Sequence, residues 1–226
     1  MAAPEGLAER VVAAGRRCSL TTSVLEEWAR RGTPRQVEYL AEYLEAECRS
    51  RDASKRASLL RRCALPQPKT FDGYEWGQIS WPEGFGRDEL LSLSFLDAHE
   101  DLVLMGDVGT GKTHMAEALC ALCCQHARPA RFFTASSLVM HIRRARDDGR
   151  LDRELAQIGK AELLVIDELG FEPCQYNGQR NRRFLHGQHV FRTVPEGLLE
   201  AVEELLHSLC RYAVPDGLVR TVAVVI

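Results

Sequence analysis

The 226-residue sequence contains no apolar run that approaches the roughly 20 residues needed to cross a bilayer. It also lacks the apolar core of a signal peptide, because the Ala-rich segment 1–17 carries Glu5, Glu9 and Arg10. The chain also has no large excess of charge of one sign, because its formal net charge is only −3. Any nucleic-acid site must therefore be a local feature. These absences predict a cytoplasmic protein without a membrane segment.

The eight cysteines form no disulfide or zinc framework. Cys120 and Cys123 make a C-x-x-C pair with Cys124 beside it, but no second pair follows at the spacing of a zinc site. Because these three residues lie in a helical run, we interpret them as small apolar residues of a core, with reduced thiols. The hydrophobic content of 45% suffices for one domain of ordinary size with a small appendage.

The central motif is the segment 106–113, Gly-Asp-Val-Gly-Thr-Gly-Lys-Thr, which has the Walker A form G-x-x-x-x-G-K-[ST]. Residues 102–105 predict a buried strand before it, and residues 114–125 predict a helix after it. This context favours a phosphate-binding loop over a glycine-rich turn before an unrelated helix. Lys112 would bridge the β- and γ-phosphates of ATP, and Thr113 would bind Mg²⁺. The candidate nucleotide-binding residues are Gly106, Asp107, Val108, Gly109, Thr110, Gly111, Lys112, Thr113 and His114.

A second chemical element comes about fifty residues later, where the apolar run 163–166 is followed by Asp167 and Glu168. The run predicts a buried parallel strand that places both carboxylates at its C-terminal end, the edge where α/β proteins bind ligands. Asp167 would hold Mg²⁺ through its water shell. Glu168 would be the catalytic base that polarises the attacking water, alongside Lys112. The pair favours NTP hydrolysis; a P-loop kinase is the alternative, although nothing resembles an acceptor site.

Residues 20–65 predict a small helical unit. Thr33-Pro34 is typical of a helix start, and residues 37, 40, 41, 44 and 48 repeat at helical spacing as one buried face. A basic stretch follows, and Leu65-Pro66-Gln67-Pro68 ends the helix as a linker. The stretch would track DNA phosphates or form a solvated face, and its charges alone leave both readings open. Its candidate DNA-contacting residues are Arg49, Arg51, Lys55, Arg56, Arg61 and Arg62.

The remaining segments predict further elements. The aromatic-rich segment 69–76 would pack around an adenine base or lie on the domain surface. Helices are expected over residues 90–99, 135–149, 151–158 and 196–212, and a strand over 131–134. The terminal run 218–226 is β-prone.

These motifs together resemble the IstB-like transposition helper ATPases. The resemblance is carried by residues 65–72, 106–116, 132–135, 149–155 and 164–171, and it runs from about residue 20 to about residue 173. It implies an AAA+ P-loop NTPase related to the DnaC helicase loaders: an α/β fold with a parallel sheet and flanking helices (66–173), preceded by a small N-terminal helical domain (1–65).

Such proteins use ATP and Mg²⁺, bind double-stranded DNA, form homo-oligomeric rings or filaments, and direct the transposase of the same mobile element. The resemblance favours the DNA-contact reading of the basic stretch. The alternative functions are a DnaC-like helicase loader and a disrupted ATP-binding remnant that does not hydrolyse ATP.

The resemblance stops at about Pro173, so residues 174–226 are an atypical tail. The family pattern would continue with a strand that senses the γ-phosphate and an arginine that acts on a neighbouring subunit's ATP. Three explanations fit the tail: a frameshift or disrupted gene, which we favour; a variant that supplies a replacement strand; or a disordered remnant. A missing strand would expose a sheet edge. The placement of Arg180, Arg182 and Arg183 gives no support for their replacing the lost arginine, so nucleotide binding is better supported than hydrolysis.

Overall fold

The computed structural model describes residues 5–168, 182–187 and 221–225, the last two ranges by their backbone. The chain divides into two compact units, residues 1–57 and 58–226. The first unit therefore ends within a long helix, eight residues before the predicted boundary at residue 65. None of the described helices is long and apolar enough to cross a membrane.

The first unit is helical, as the sequence predicts. It contains α1 (Glu5–Arg17), α2 (Thr22–Arg31) and the first part of α3 (Pro34–Cys63). The predicted stripe of α3 is its buried face: Val37 is 1% exposed and Ala41 is 0% exposed, and both pack in a core with Val11 of α1 and Leu25 of α2. The apolar spacing therefore identifies the core-facing side of α3 correctly.

Polar contacts fix the ends and faces of these helices. Gln36 Oε1 accepts from both the backbone N–H and the hydroxyl of Thr33, at 2.9 Å each, which satisfies donors at the start of α3. Arg10 donates two hydrogen bonds to the carboxylate of Glu45, at 2.8 and 3.0 Å, and so ties α1 to α3. The pair is half-exposed, so its contribution is modest.

The second unit is built on a sheet of six described strands. They are β1 (Ile79–Ser80), β2 (Asp101–Met105), β3 (Ala130–Thr134), β4 (Leu163–Asp167), β5 (Arg182–Gly187) and β6 (Thr221–Val225). Their order in the sheet is β1-β5-β2-β6-β4-β3. All neighbouring strands run parallel except β1 and β5, which are antiparallel. The predicted parallel-sheet α/β fold is thus confirmed.

The helices of this unit are α4 (Arg87–Ser92), α5 (Ser94–Asp97), α6 (Lys112–Gln125), α7 (Ala135–Asp147) and α8 (Leu151–Ile158), with a 3-10 turn at Trp76–Gln78. α6 packs its cysteines into the core: Cys120 and Cys123 are fully buried, and Cys124 is 1% exposed. All three are free thiols, as predicted. Among the described residues, no group of three or more His, Cys, Asp or Glu is placed to hold a metal ion.

One predicted helix differs. Residues 90–99 do not form a single helix, because Leu93 has φ 59° and separates α4 from α5. Leu93 is 1% exposed, and the hydrophobic contacts of its buried side chain offset the cost of a left-handed residue. The turn carries no glycine or proline, so the sequence gives no signal for it.

The tail contributes two strands to the sheet. β6 confirms the β-prone terminal run, and it pairs with β2 on one side and β4 on the other. β4 is therefore paired on both sides, with β3 and with β6, as the replacement-strand explanation requires. The predicted helix over 196–212 lies outside the described residues.

Candidate functional site

The phosphate loop and the two acidic residues lie at the same edge of the sheet. β2, β6 and β4 are parallel, with Val103 level with Val224 and Val224 level with Ile166. Because carboxyl ends of parallel strands meet at one edge, Gly106 after β2 and Asp167 at the end of β4 emerge together. One strand separates them, so their backbones are about 10 Å apart.

Glycines make the turns of the loop. Gly106, Gly109 and Gly111 have φ of 154°, 84° and 85°, a region that side chains disfavour. Gly111 is the residue at which the loop turns into α6, and the first orphan N–H groups of that helix follow it. Loop and helix start thus form an anion-binding concavity with the positive end of the helix dipole.

Lys112 lies over this concavity. Its Nζ donates to the backbone oxygens of Gly106 at 2.6 Å and Asp107 at 2.7 Å. Burial lowers the pKa of Lys112, while the carboxylates of Asp167 and Asp107 oppose that shift. The negative charge of Asp167 therefore favours the protonated form of Lys112.

Asp167 and Glu168 differ in their surroundings. Asp167 is 5% exposed, and its Oδ1 accepts the backbone N–H of Glu168 at 2.8 Å. Glu168 is exposed and has φ 56°, a conformation that costs a non-glycine residue about 1–3 kcal/mol and that clusters at functional sites. The buried acid suits a fixed ligand, and the exposed acid suits contact with solvent.

The donor set fits Mg²⁺. The second oxygen of Asp167 accepts no hydrogen bond from any described residue, although the side chain is buried. Thr113, on the first turn of α6, offers an exposed hydroxyl. Carboxylate and hydroxyl oxygens are hard ligands of the kind that Mg²⁺ prefers, and the ion usually keeps several waters.

Comparison with known proteins agrees with this geometry. The model of the family described as IstB-like ATP binding protein matches residues 21–186 of the chain. The chain belongs to the IstB-like family. The match extends beyond residue 173, where the resemblance was expected to stop, and includes β5.

Several relatives come from insertion sequences, and their names describe them as ATP-binding proteins. One, of insertion sequence IS5376 in Geobacillus stearothermophilus, is 35% identical over 150 residues, covering 66% of this chain and 59% of the relative. One of IS21 in Pseudomonas aeruginosa is 30% identical, covering 60% and 51%. One of IS232 in Bacillus thuringiensis subsp. berliner is 28% identical, covering 61% and 55%. The chain thus spans between half and three fifths of these curated relatives.

The aromatic segment of this IstB-like chain packs against the start of α6. Tyr74 Oη donates to the backbone oxygen of Gly111 at 3.4 Å, and the Tyr74 and His114 rings are 5.2 Å apart. His114 Nε2 lies 2.9 Å from the backbone oxygen of Thr70. His114, predicted as a nucleotide-binding residue, therefore contacts this segment.

Sequence reasoning missed Glu117. Its side chain is 5% exposed, and burial raises its pKa, although the positive charge of Lys69 opposes that rise. The available signal was a lone carboxylate in a helix that is otherwise apolar after its first turn.

The structure distributes the basic stretch around α3. All six predicted DNA-contacting residues are exposed. At 100° per residue, Arg51 and Lys55 lie on one side of the helix, and Arg49 and Arg56 on another. Arg51 is partly engaged, because it pairs with Glu47 at 2.7 Å and donates to a backbone oxygen at 3.2 Å. The DNA site stays a prediction.

Two arginines of the tail, Arg182 and Arg183, begin β5 at the amino end of the sheet. Arg182 pairs with Asp101 and Arg183 with Leu102, at the amino end of β2. The phosphate loop follows the carboxyl end of β2, five residues away, or about 16 Å along a strand. The missing arginine would act on the ATP of a neighbouring subunit, so the expectation that Arg182 and Arg183 do not replace it stays a prediction. Arg180 lies outside the described residues.

Proposed function

We propose that this chain binds ATP and Mg²⁺ at the phosphate loop and hydrolyses ATP as a helper of DNA transposition. The observation that carries the proposal is geometric: the phosphate loop after β2 and Asp167 at the end of β4 emerge at one edge of the sheet, and Lys112 Nζ lies against the backbone oxygens of that loop. The insertion-sequence names of the relatives support the biological setting.

Each part of the site would have a separate task. The backbone N–H groups of the loop and of the first turn of α6 would bind the β-phosphate. Lys112 would exchange its contacts with Gly106 O and Asp107 O for phosphate oxygens, which are stronger acceptors because they are charged. Thr113 and Asp167 would hold Mg²⁺, which when bound neutralises charge on the β- and γ-phosphate oxygens.

Glu168 would act on water. Its exposed carboxylate would take a proton from the water whose oxygen attacks the γ-phosphorus. The bond from that phosphorus to the β–γ bridging oxygen breaks, which yields ADP and phosphate. The strained backbone at Glu168 fixes the direction in which the side chain leaves the end of β4.

DNA and a transposase are the proposed partners. Lys55 and Arg56 of α3 are exposed and have no side-chain hydrogen bond or ion pair with a described residue, so they are free to contact DNA phosphates. A helicase loader would share the nucleotide site, and the two functions differ in the partner protein.

The test is steady-state hydrolysis of ATP by the purified chain with Mg²⁺, with and without double-stranded DNA. We expect hydrolysis that DNA stimulates in the parent. Glu168→Gln should bind ATP without hydrolysing it, and Lys112→Ala should lose binding, because a charge-assisted contact with phosphate is removed.

Lys160→Ala is the matched control for Lys112→Ala, because Lys160 is exposed and lies before β4, at the other edge of the sheet. It should hydrolyse ATP as the parent does. Unchanged ATP binding by Lys112→Ala would refute the proposed site. Binding without hydrolysis in the parent would leave a nucleotide-binding module and reject the ATPase proposal.

A further inference from the structure

Two buried thiols face each other inside the helical unit, where α1 contacts α3. Cys18 directly follows the last residue of α1, and Cys48 lies in the middle of α3. Their sulfur atoms are 3.4 Å apart, and the two side chains are 5% and 3% exposed. The sulfur–sulfur length of a disulfide bond is about 2.05 Å, so the two atoms are about 1.4 Å from bonding distance.

Each thiol also points at the backbone of the opposite helix. Cys48 Sγ donates to the backbone oxygen of Ala14 at 3.3 Å, in the last turn of α1. Cys18 Sγ donates to the backbone oxygen of Leu44 at 3.9 Å, one turn before Cys48 in α3. Two cysteines cannot be bridged when their side chains point apart, and these reciprocal contacts show that the two side chains point together.

Ion pairs on both sides of the thiols hold the two helices in register. Arg10 of α1 pairs with Glu45 at 2.8 Å, one turn before Cys48. Arg17 pairs with Asp52 at 2.6 Å, one turn after Cys48. Positions three or four apart are neighbours on a helix surface, so the two ion pairs bracket the thiols. A cross-link between the sulfurs therefore needs no sliding of α1 along α3.

Loss of the two thiol hydrogens would leave no backbone oxygen without a partner. The oxygen of Ala14 also accepts the backbone N–H of Cys18, at 3.1 Å, so it stays bonded when the Cys48 thiol no longer donates. The oxygen of Leu44 accepts the backbone N–H of Cys48, four residues later in α3, as in any α-helix. Oxidation therefore avoids the cost of an unsatisfied buried carbonyl.

We propose that Cys18 and Cys48 are a redox-sensitive modification site: on oxidation by a small-molecule disulfide they form a disulfide bond that fastens α1 to the middle of α3. The bond joins residues 30 positions apart and would stabilise the folded unit, because it restricts the unfolded chain. It would hold α1 against the turns of α3 that carry Arg49 and Arg51, two of the predicted DNA-contacting residues. The inference does not depend on nucleotide binding.

Oxidised glutathione is an oxidant that balances the reaction. Cys18 lies at a helix end, where local opening costs least, so its thiolate would attack one sulfur of oxidised glutathione first and release one glutathione thiolate. The Cys48 thiolate then attacks the Cys18 sulfur of this mixed disulfide and releases the second glutathione thiolate. The two protein sulfurs lose two electrons, which oxidised glutathione gains, and the two thiol protons pass to the released thiolates.

The test incubates the folded full chain overnight at about pH 8, where thiolates become populated, with oxidised glutathione or with dithiothreitol. Free thiols are then alkylated in denaturant, and the tryptic peptides are analysed by mass spectrometry. Trypsin places the two cysteines in separate peptides, 18–30 and 36–49. We expect these peptides to be joined in most of the oxidised sample and to be separate after reduction.

Thermal melting of the same two samples gives an independent readout. A disulfide over this separation should raise the melting temperature by at least about 5 °C, and dithiothreitol should reverse the rise. Cys18→Ala should show neither the joined peptides nor the rise. Cys123→Ala is the matched control, because it removes a fully buried thiol from the second unit, and it should keep both.

The parent chain alone decides the outcome, so the test does not depend on how well a variant folds. The inference is overturned if peptides 18–30 and 36–49 stay separate in the oxidised parent. It is also overturned if they join without a rise in melting temperature, because a bond that fits the native geometry stabilises the fold and a distorting bond does not.

Discussion

Two glycines of the phosphate loop offer a comparison that isolates the contact with Tyr74. Gly109 and Gly111 have nearly equal backbone angles, φ 84° and 85°, so alanine at either position costs about 1–2 kcal/mol of strain. Their surroundings differ. A Cβ at Gly109 would meet nothing within 4 Å, whereas a Cβ at Gly111 would lie 3.3 Å from Tyr74 Oη.

The contact with Tyr74 determines how much lower Gly111→Ala should melt than Gly109→Ala. At 3.3 Å, Tyr74 must retreat by a few tenths of an ångström, and its ring is enclosed by those of Phe71, Trp76 and His114. Overpacking of this kind costs about 1–3 kcal/mol. Since 1 kcal/mol shifts the melting temperature of a chain of this size by about 2–4 °C, Gly111→Ala should melt at least about 2 °C below Gly109→Ala.

The assay is thermal unfolding of both single variants, of Tyr74→Phe, and of Tyr74→Phe combined with Gly111→Ala. Tyr74→Phe removes only the oxygen that the new methyl group would meet. We therefore expect a favourable coupling energy of about 1 kcal/mol between positions 74 and 111. Equal melting of Gly109→Ala and Gly111→Ala, with no coupling to Tyr74→Phe, would refute the contact between Tyr74 and the phosphate loop.

Two further predictions concern charge. Burial raises the pKa of Glu117, so the stability that its protonated form contributes is complete below its ordinary pKa and is lost as the pH rises through the raised value. Denaturant unfolding at several pH values should show that Glu117→Gln lacks this loss of stability above about pH 4.5. The same pH dependence of stability in both proteins would contradict this prediction. Lys55→Ala combined with Arg56→Ala should lower DNA affinity and reduce the slope of log affinity against log salt by up to about 1.8. The control, Arg143→Ala combined with Arg144→Ala, should change neither the affinity nor the slope. An unchanged slope in the first double variant would place the DNA site elsewhere.

The parts of the site that are contiguous in sequence were predictable. The phosphate loop is recognised from eight consecutive residues, with their glycine spacing and lysine, and from the strand and helix beside them. Over so short a stretch, local steric rules decide the backbone conformation. The same holds for β4, whose apolar run is buried along its full length and ends at Asp167. The resemblance to the IstB-like family implied the fold class, and these two elements agree with it, because both are followed by polar residues at the carboxyl end of a buried strand.

The packing of the aromatic segment 69–76 was not predictable, because its contacts join residues about 40 positions apart. The sequence left this segment with two interpretations. The structure shows that Tyr74 lies against Gly111 and His114. Glu117 was overlooked because a lone carboxylate on a helix is ordinarily a solvated residue, whereas here it is 5% exposed.

The position of β6 changes how the tail relates to the site. β2 carries the phosphate loop and β4 carries Asp167, yet the two strands do not pair with each other; each pairs with β6. Val225 of β6 is level with Leu104, and Val224 is level with Ile166, so this strand sets both the separation and the register of the two chemical elements. A sheet without it would either leave β2 and β4 unpaired or bring them together at about 5 Å, half the distance that the site has here. The tail therefore belongs to the frame of the nucleotide site, although its sequence departs from the family's motifs.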